Sequence, residues 1–345
     1  MKGVVVYCDG RIKVEELPKP KINDYQALVE NLSCGICNGT DLKIIHGRFK
    51  GFNTYPAVLG HETVGRVVEV GRKVISFKVG DLVLRSILEK VEDPRYYSGW
   101  GGFAEYGVVG DWRAMEKDGR TEYPEIYYAQ QVIPGNLDPH QATMLITLKE
   151  VASGLNRFGV GKNDAVLIHG AGPVGLSMVR LAKLRGAGPI VVSEPDAGRR
   201  ERAERLGADV VLNPTEVDVV AEARKIVPQG FDYVIDAVGI NALITQSLKI
   251  VKFNGKVGVY GIAPETRAEI DWTEAPYNFV IHFVQWPTFR DEAAVHRQIL
   301  ALVEAGAIDL GEFVTHVIPR LEDFQKGLDL ITSKQAIKVA VNIKG

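Results

Sequence analysis

Gly170-Ala171-Gly172-Pro173-Val174-Gly175 follows a short apolar run at 165–169 and precedes a helix-like pattern over 173–184. Glycine-rich turns are common, so the flanking strand and helix are what give this stretch meaning as a dinucleotide fingerprint. Gly170 permits the tight turn, Gly172 lets the backbone approach a pyrophosphate, and Gly175 allows the helix to pack closely on the strand. The helix opening at Pro173 and Val174 turns its N-terminal N–H groups and the positive end of its dipole towards the phosphates. The next strand, 189–193, ends at Glu194, at about the ~20-residue distance expected of an acid that binds the ribose hydroxyls. A carboxylate there repels a 2′-phosphate, which favours NAD over NADP. Arg199 and Arg200 argue the other way, because either would suit a 2′-phosphate.

Outward from this loop, strands alternate with helices. After the helix at 173–184 come a strand at 189–193, a helix at 197–206 and a strand at 209–212. Further strands are expected at 231–236 and 256–260. That rhythm predicts a parallel sheet covered on both faces, with residues 151–291 as a Rossmann NAD-binding domain. Upstream the pattern is β-rich and punctuated by glycine and proline, with strands expected at 3–8, 27–32, 62–70 and 81–85. It suggests a small β-barrel. Downstream of about residue 291 a helix (293–305), a strand (312–317), a second helix (321–331) and a last strand (336–343) are expected to return to the first domain, giving 1–150 with 292–345.

Composition excludes several classes. The 345 residues suffice for two domains, and 46% hydrophobic with 24% charged residues is the mix of a soluble globular protein. A formal net charge of -2 offers no general attraction to nucleic acid or an anionic membrane. No apolar run approaches the ~20 residues that span a bilayer, and the N-terminus carries no signal-peptide pattern, so a cytoplasmic location is expected. The three cysteines, Cys8, Cys34 and Cys37, rule out a disulfide framework and a four-thiolate zinc site within one chain.

Two short motifs in the first domain carry chemistry. Cys34-Gly35-Ile36-Cys37-Asn38-Gly39-Thr40-Asp41 and Gly60-His61-Glu62 bring together a thiolate, an imidazole and a carboxylate, which are zinc ligand types. With Gly101-Gly102-Phe103-Ala104-Glu105-Tyr106, the loop at 170–175 and the Ile337-Lys338-Val339 ending, they make the whole chain resemble a zinc-dependent medium-chain alcohol/polyol dehydrogenase. The resemblance implies an α/β protein: a GroES-like β-barrel catalytic domain plus a doubly wound Rossmann domain, with the active site in the cleft between them. It implies Cys37 and His61 as zinc ligands, with Glu62 either on the metal or close to it. It implies Thr40 as the hydroxyl that takes the substrate's proton, Asp41 as an acid orienting an imidazole ligand, and Lys338 as a base near the cofactor phosphates. Zinc would act as Lewis acid on the alcohol oxygen, and the substrate carbon would give hydride to the nicotinamide.

The chain departs from the family pattern in three places. Asn38 and Gly39 both intervene between Cys37 and Thr40, where one residue is usual. Lys43 stands where many members carry a relay histidine. Ile146 stands where the remaining ligand is expected, and Glu150, one helical turn further on, becomes the candidate ligand or active-site acid. Cys34 reads as a small buried residue. Residues 86–100 contain no cysteine, so the structural zinc lobe of some relatives is missing and at most one zinc per chain is expected. Substrate hydroxyls have Asn38, Lys43, Arg48 and Glu150 as candidate partners, with Tyr96, Tyr97 and Trp100 as cleft wall or surface. A secondary alcohol of a polyol, sugar or cyclitol is the expected small-molecule substrate. The apolar run at 278–287 predicts a homo-dimer or homo-tetramer through sheet edges, or else a buried strand. Two other readings compete: a zinc-free reductase of activated C=C bonds and a non-catalytic NAD(H)-binding protein. Neither needs Cys37 and His61.

Overall fold

The computed structural model describes Met1–Lys344. Its chain divides into two compact units, Met1–Lys149 with the chain from Thr288 onward, and Glu150–Pro287. The sequence-based borders, 150/151 and 291/292, fall one and four residues later than this division.

The first unit is built on a long strand, Gln26–Ile36, that pairs on both sides. Glu62–Val70, Lys338–Asn342 and Tyr106–Gly110 each run antiparallel to it. The sheet continues through Leu82–Leu84 and Val132–Ile133 on one flank and Val314–Ile318 on the other, giving seven strands. A four-stranded sheet orders Ile12–Glu16, Lys2–Val6, Ala57–Val58 and Tyr97–Ser98. The C-terminal segment sits within this unit because Val339 and Val341 lie opposite Ile36 and Cys34 and bury beside Phe103, Phe324 and Leu328 in a shared apolar cluster. The helix expected at 293–305 is two helices, Phe289–Ala294 and His296–Glu304.

The second unit is a six-stranded parallel sheet. Counting its strands along the chain as Val166–His169, Ile190–Ser193, Val210–Leu212, Phe231–Asp236, Val251–Val259 and Phe279–Phe283, their spatial order is third, second, first, fourth, fifth, sixth. That is the order of a dinucleotide-binding sheet that reverses direction beside its first strand. The first two strands are buried throughout, as expected where both faces are covered. The last strand lies at the sheet edge and is nowhere fully buried, with Val280 and Phe283 open to solvent. Among the described residues, no helix is long and apolar enough to cross a membrane.

Candidate metal and dinucleotide sites

In the first unit, Cys37 stands just past the long central strand, where the chain turns into the short helix Asp41–Ile45. The turn is closed on itself. The Asp41 and Thr40 amides donate to the Cys37 carbonyl at 2.8 and 3.3 Å, and the Cys37 amide donates to Asp41 Oδ2 at 2.8 Å. This is how the extra residue between Cys37 and Thr40 is absorbed: Asn38 and Gly39 form the turn and Thr40 is buried just before the helix. His61 and Glu62 arrive from the neighbouring strand. Gly60 precedes them with φ +105°, and a Cβ there would meet the Phe103 amide nitrogen at 2.6 Å, so only glycine delivers the pair in this way.

Ligand atoms of Cys37, His61 and Glu62 lie within 4.8 Å of one another, and among the described residues this is the one such group of three. Its surroundings fit a divalent metal. Sulfur, nitrogen and oxygen donors, the mixture zinc accepts, converge, with His61 and Glu62 buried and Cys37 half-buried. Gly35, on the central strand, leaves room for the carboxylate, since a Cβ there would stand 2.5 Å from Glu62 Oε2. Asp41 Oδ1 lies 3.8 Å from His61 Nδ1, the placement of a carboxylate that orients a ligating imidazole. Burial pushes Asp41 up to about 6, against the pull of His61. Burial also works to lower His61, but the Cys37 thiol, Asp41 and Glu62 outweigh it and hold the ring up at about 9. A metal bound by His61 would have to displace the proton that this shift favours.

Two residues assigned elsewhere, or to no role, in the sequence also reach Glu62. The Lys338 ammonium, expected near cofactor phosphates, is buried and ion-paired to Glu62 Oε2. Burial alone would lower its pKa, but the Glu62 charge more than offsets that and raises it. The Thr147 hydroxyl donates to Glu62 Oε1 at 3.2 Å. Nothing in the sequence marked Thr147 except its place on the helix Met144–Phe158, one residue past Ile146. Glu150 is half-buried on the same helix, and the group of three is complete without it. Lys43 is half-buried and Asn38 and Arg48 are exposed. Of the three aromatics considered, Trp100 has its ring centroid 5.4 Å from that of His61. Tyr97 is exposed, and Tyr96 packs beside Leu17, Val58 and Leu88.

In the second unit, Gly170 leaves the first strand with φ +93°, and its amide donates to the Ser193 carbonyl at 2.8 Å. Gly172 caps the helix Pro173–Leu184, with Pro173 in its first turn, where a missing N–H costs no helical bond. A Cβ at Gly175 would collide with the Gly170 carbonyl, whereas one at Gly172 would meet no heavy atom within 4 Å. The loop thus combines a close helix–strand approach with open space along one stretch of backbone. Glu194, at the end of the second strand, is buried against the loop: Oε2 accepts from the Ala171 amide at 2.7 Å and Oε1 from the Asp196 amide at 3.0 Å. Arg199 lies in the first turn of the following helix, Ala197–Leu206, its amide donating to the capping Asp196 at 2.9 Å. Arg200 donates to the Glu194 and Pro195 carbonyls at 2.8 and 2.7 Å.

A sulfur–nitrogen–oxygen pocket in one unit and a dinucleotide turn in the other define the class of metal- and nucleotide-dependent oxidoreductases. Comparison with known proteins agrees. Residues 23–118 match the alcohol dehydrogenase GroES-like domain and residues 173–282 the zinc-binding dehydrogenase family. The chain is 29% identical to D-arabinitol dehydrogenase 1 of Uromyces fabae over 93% of its length and 91% of that protein. It is 30% identical to L-threonine 3-dehydrogenase of Pyrococcus abyssi, covering 95% and 94% of the two chains. Its fold matches an alcohol dehydrogenase from Thermus sp. ATN1 with a TM-score of 0.80 at 26% identity, over the full length of both. The chain belongs to the zinc-dependent medium-chain dehydrogenase family. It is an oxidoreductase that acts on CH–OH groups with a nicotinamide cofactor.

Proposed function

We propose that the chain oxidises a secondary alcohol of a polyol, sugar or cyclitol with NAD, using one zinc held by Cys37, His61 and Glu62. The observation that carries this reading is the convergence of those three donors within 4.8 Å. Bound zinc supplies a Lewis acid that lowers the pKa of an alcohol oxygen, and the nicotinamide accepts the hydride. The chain's own residues do the rest. With Nδ1 turned to Asp41, His61 keeps Nε2 for the metal. Thr40 Oγ1 takes the substrate proton. Lys338 and Thr147 hold one oxygen of Glu62 each and so set where its charge lies. Glu150 is proposed as the further acid of the site, and zinc content of Glu150→Ala tests it: undiminished metal removes it from the ligand set.

Gly170, Gly172, Gly175 and the helix turn at Pro173 and Val174 are proposed to take the pyrophosphate. Glu194 stands beside that backbone and would accept from the ribose hydroxyls, which supports NAD. The likeness to a D-arabinitol dehydrogenase supports a polyol substrate. We also propose a homo-dimer or homo-tetramer through the exposed edge strand Phe279–Phe283. A monomer mass in light scattering at micromolar concentration would count against it.

A panel of alcohols assayed with NAD and NADP, beside elemental analysis of protein purified without added metal, tests the function. About one zinc per chain and a preference for polyols with NAD are expected. A preference for unbranched aliphatic alcohols overturns the substrate assignment, and protein that neither contains nor takes up zinc overturns the site.

A further inference from the structure

Among the described residues, five non-glycine residues have positive φ in the left-handed region: Arg85, Trp100, Asn163, Asn254 and Lys334. Asparagine tolerates that backbone, whereas bulky side chains adopt it where the surroundings impose it. Among Arg85, Trp100 and Lys334, two meet on one residue, and that residue is His61. Arg85, φ +58°, donates from Nη1 to the His61 backbone carbonyl at 3.2 Å. Trp100, φ +69°, lays its ring against the imidazole with centroids 5.4 Å apart and planes inclined at 57°. The two residues bound the segment that carries no cysteine in this chain.

Asp41 Oδ1, 3.8 Å from Nδ1, attracts the same imidazole. Arg85 is anchored from several directions. Its amide donates to the Thr63 carbonyl at 2.9 Å and its carbonyl accepts from Gln130 at 2.8 Å. Its Nε donates to Glu292 Oε1 at 2.9 Å, and Lys149 Nζ lies 3.2 Å from the same oxygen. All three charged side chains are buried. Its guanidinium also lies over the Phe289 ring, 5.4 Å from the centroid. Trp100 is backed by Phe49, edge-on at 6.5 Å, and its carbonyl accepts from the Leu88 amide at 2.8 Å.

We propose that Arg85 and Trp100 form a clamp on His61, Arg85 through the backbone and Trp100 through the ring, and that the left-handed backbone at both is the cost of this placement. Both are positioning residues: they aim the imidazole at the metal without touching it. The inference rests on Cys37, His61 and Glu62 being the metal site.

The test compares wild type with R85M, R85K, W100A and W100F. Zinc affinity is read by chelator competition, and the visible spectrum is recorded after substitution with cobalt(II), whose bands report ligand geometry. R85M and W100A should each loosen zinc by roughly 10- to 100-fold, the usual effect of losing a group that orients a ligand, and both should shift the cobalt bands. W100F, which keeps an aromatic face, and R85K, which keeps the Glu292 ion pair, should recover part of each loss. Wild-type zinc affinity and cobalt bands in both R85M and W100A overturn the clamp while leaving the metal site standing. If R85M fails to fold because its buried ion pair is broken, W100A against W100F decides in the same way. A wild-type protein that takes up neither zinc nor cobalt removes the metal site and the clamp with it.

Discussion

The dinucleotide loop and the metal pocket are built by opposite means. The loop is made of consecutive residues and acts largely through what is missing: no Cβ at Gly175 to push the helix off the strand, and none at Gly172 to fill the space beside its backbone. The pocket is made of side chains carried to one place by separate segments. Cys37 follows one strand, His61 and Glu62 open another, Thr147 comes from a helix, and Lys338 comes from the last strand of the chain. A site built from absent atoms tolerates no added ones, whereas a site built from converging side chains fails by losing one. Their chemistry differs too: titratable side chains crowd the pocket, whereas the loop itself, residues 170–175, carries none.

Removing a ligand should expose that difference most visibly. Cys37→Ser or His61→Ala should strip zinc and lower turnover by roughly 10³-fold, because Lewis-acid stabilisation is worth several kcal/mol. NADH affinity should stay within about twofold of wild type. Metal analysis and an NADH fluorescence titration read both, and a parallel loss of NADH binding would show that the two sites do not act independently.

Acid should separate the regions next. His61 is held up at about 9 in the metal-free pocket, and zinc needs a neutral imidazole. The metal-free form therefore binds more protons than the loaded form, so falling pH favours metal loss. Zinc affinity should weaken by up to about tenfold per pH unit below 9, hence up to about 100-fold from pH 8 to pH 6. Chelator competition across that range measures it, and a flat profile would mean that the ring is already neutral in the metal-free protein. The glycine loop offers no such group.

The loop's own sensitivity is steric. Gly172→Ala finds no atom in its way within the protein, so the thermal midpoint without nucleotide should not change. NADH binding should nevertheless weaken by about tenfold, roughly 1.4 kcal/mol, if the backbone there approaches the pyrophosphate. Gly175→Ala should lower both, because its Cβ meets the Gly170 carbonyl. Zinc content should be unaffected in either.

The same contrast explains what could be read from the sequence. Residues 170–175 and Glu194 are legible because strand, turn, helix and acid follow one another at fixed spacing, and five of the six parallel strands follow from the same rhythm, whereas the sixth, Phe279–Phe283, shows in the sequence only as an apolar run. Cys37 and Gly60-His61-Glu62 are legible as ligand types in short motifs. The residues that hold them are not. Lys338 is 276 positions after Glu62 by subtraction of their numbers, and its ion pair depends on the last strand lying antiparallel to Gln26–Ile36. Arg85 follows a strand as ordinary as any other in the sequence, and its left-handed backbone leaves no mark there. Glu292, its partner, lies just before the helix expected at 293–305 and inside the observed helix Phe289–Ala294. Long-range pairing, not local propensity, decides these contacts.

The smallest effect tests how finely the pocket is tuned. Thr147→Val keeps the shape of the side chain and removes only the hydroxyl that donates to Glu62 Oε1 at 3.2 Å. The loss of one such bond is worth about 1 kcal/mol, or about fivefold in zinc affinity. The Lys338 ammonium still holds the other oxygen, so Glu62 should pivot about that contact and not leave the pocket. A fivefold weakening in chelator competition, with the thermal midpoint of the metal-free protein unchanged, would show that both oxygens of Glu62 are set by the protein. Unchanged affinity would assign the orientation of Glu62 to Lys338 alone, and Lys338→Met would then carry the whole effect.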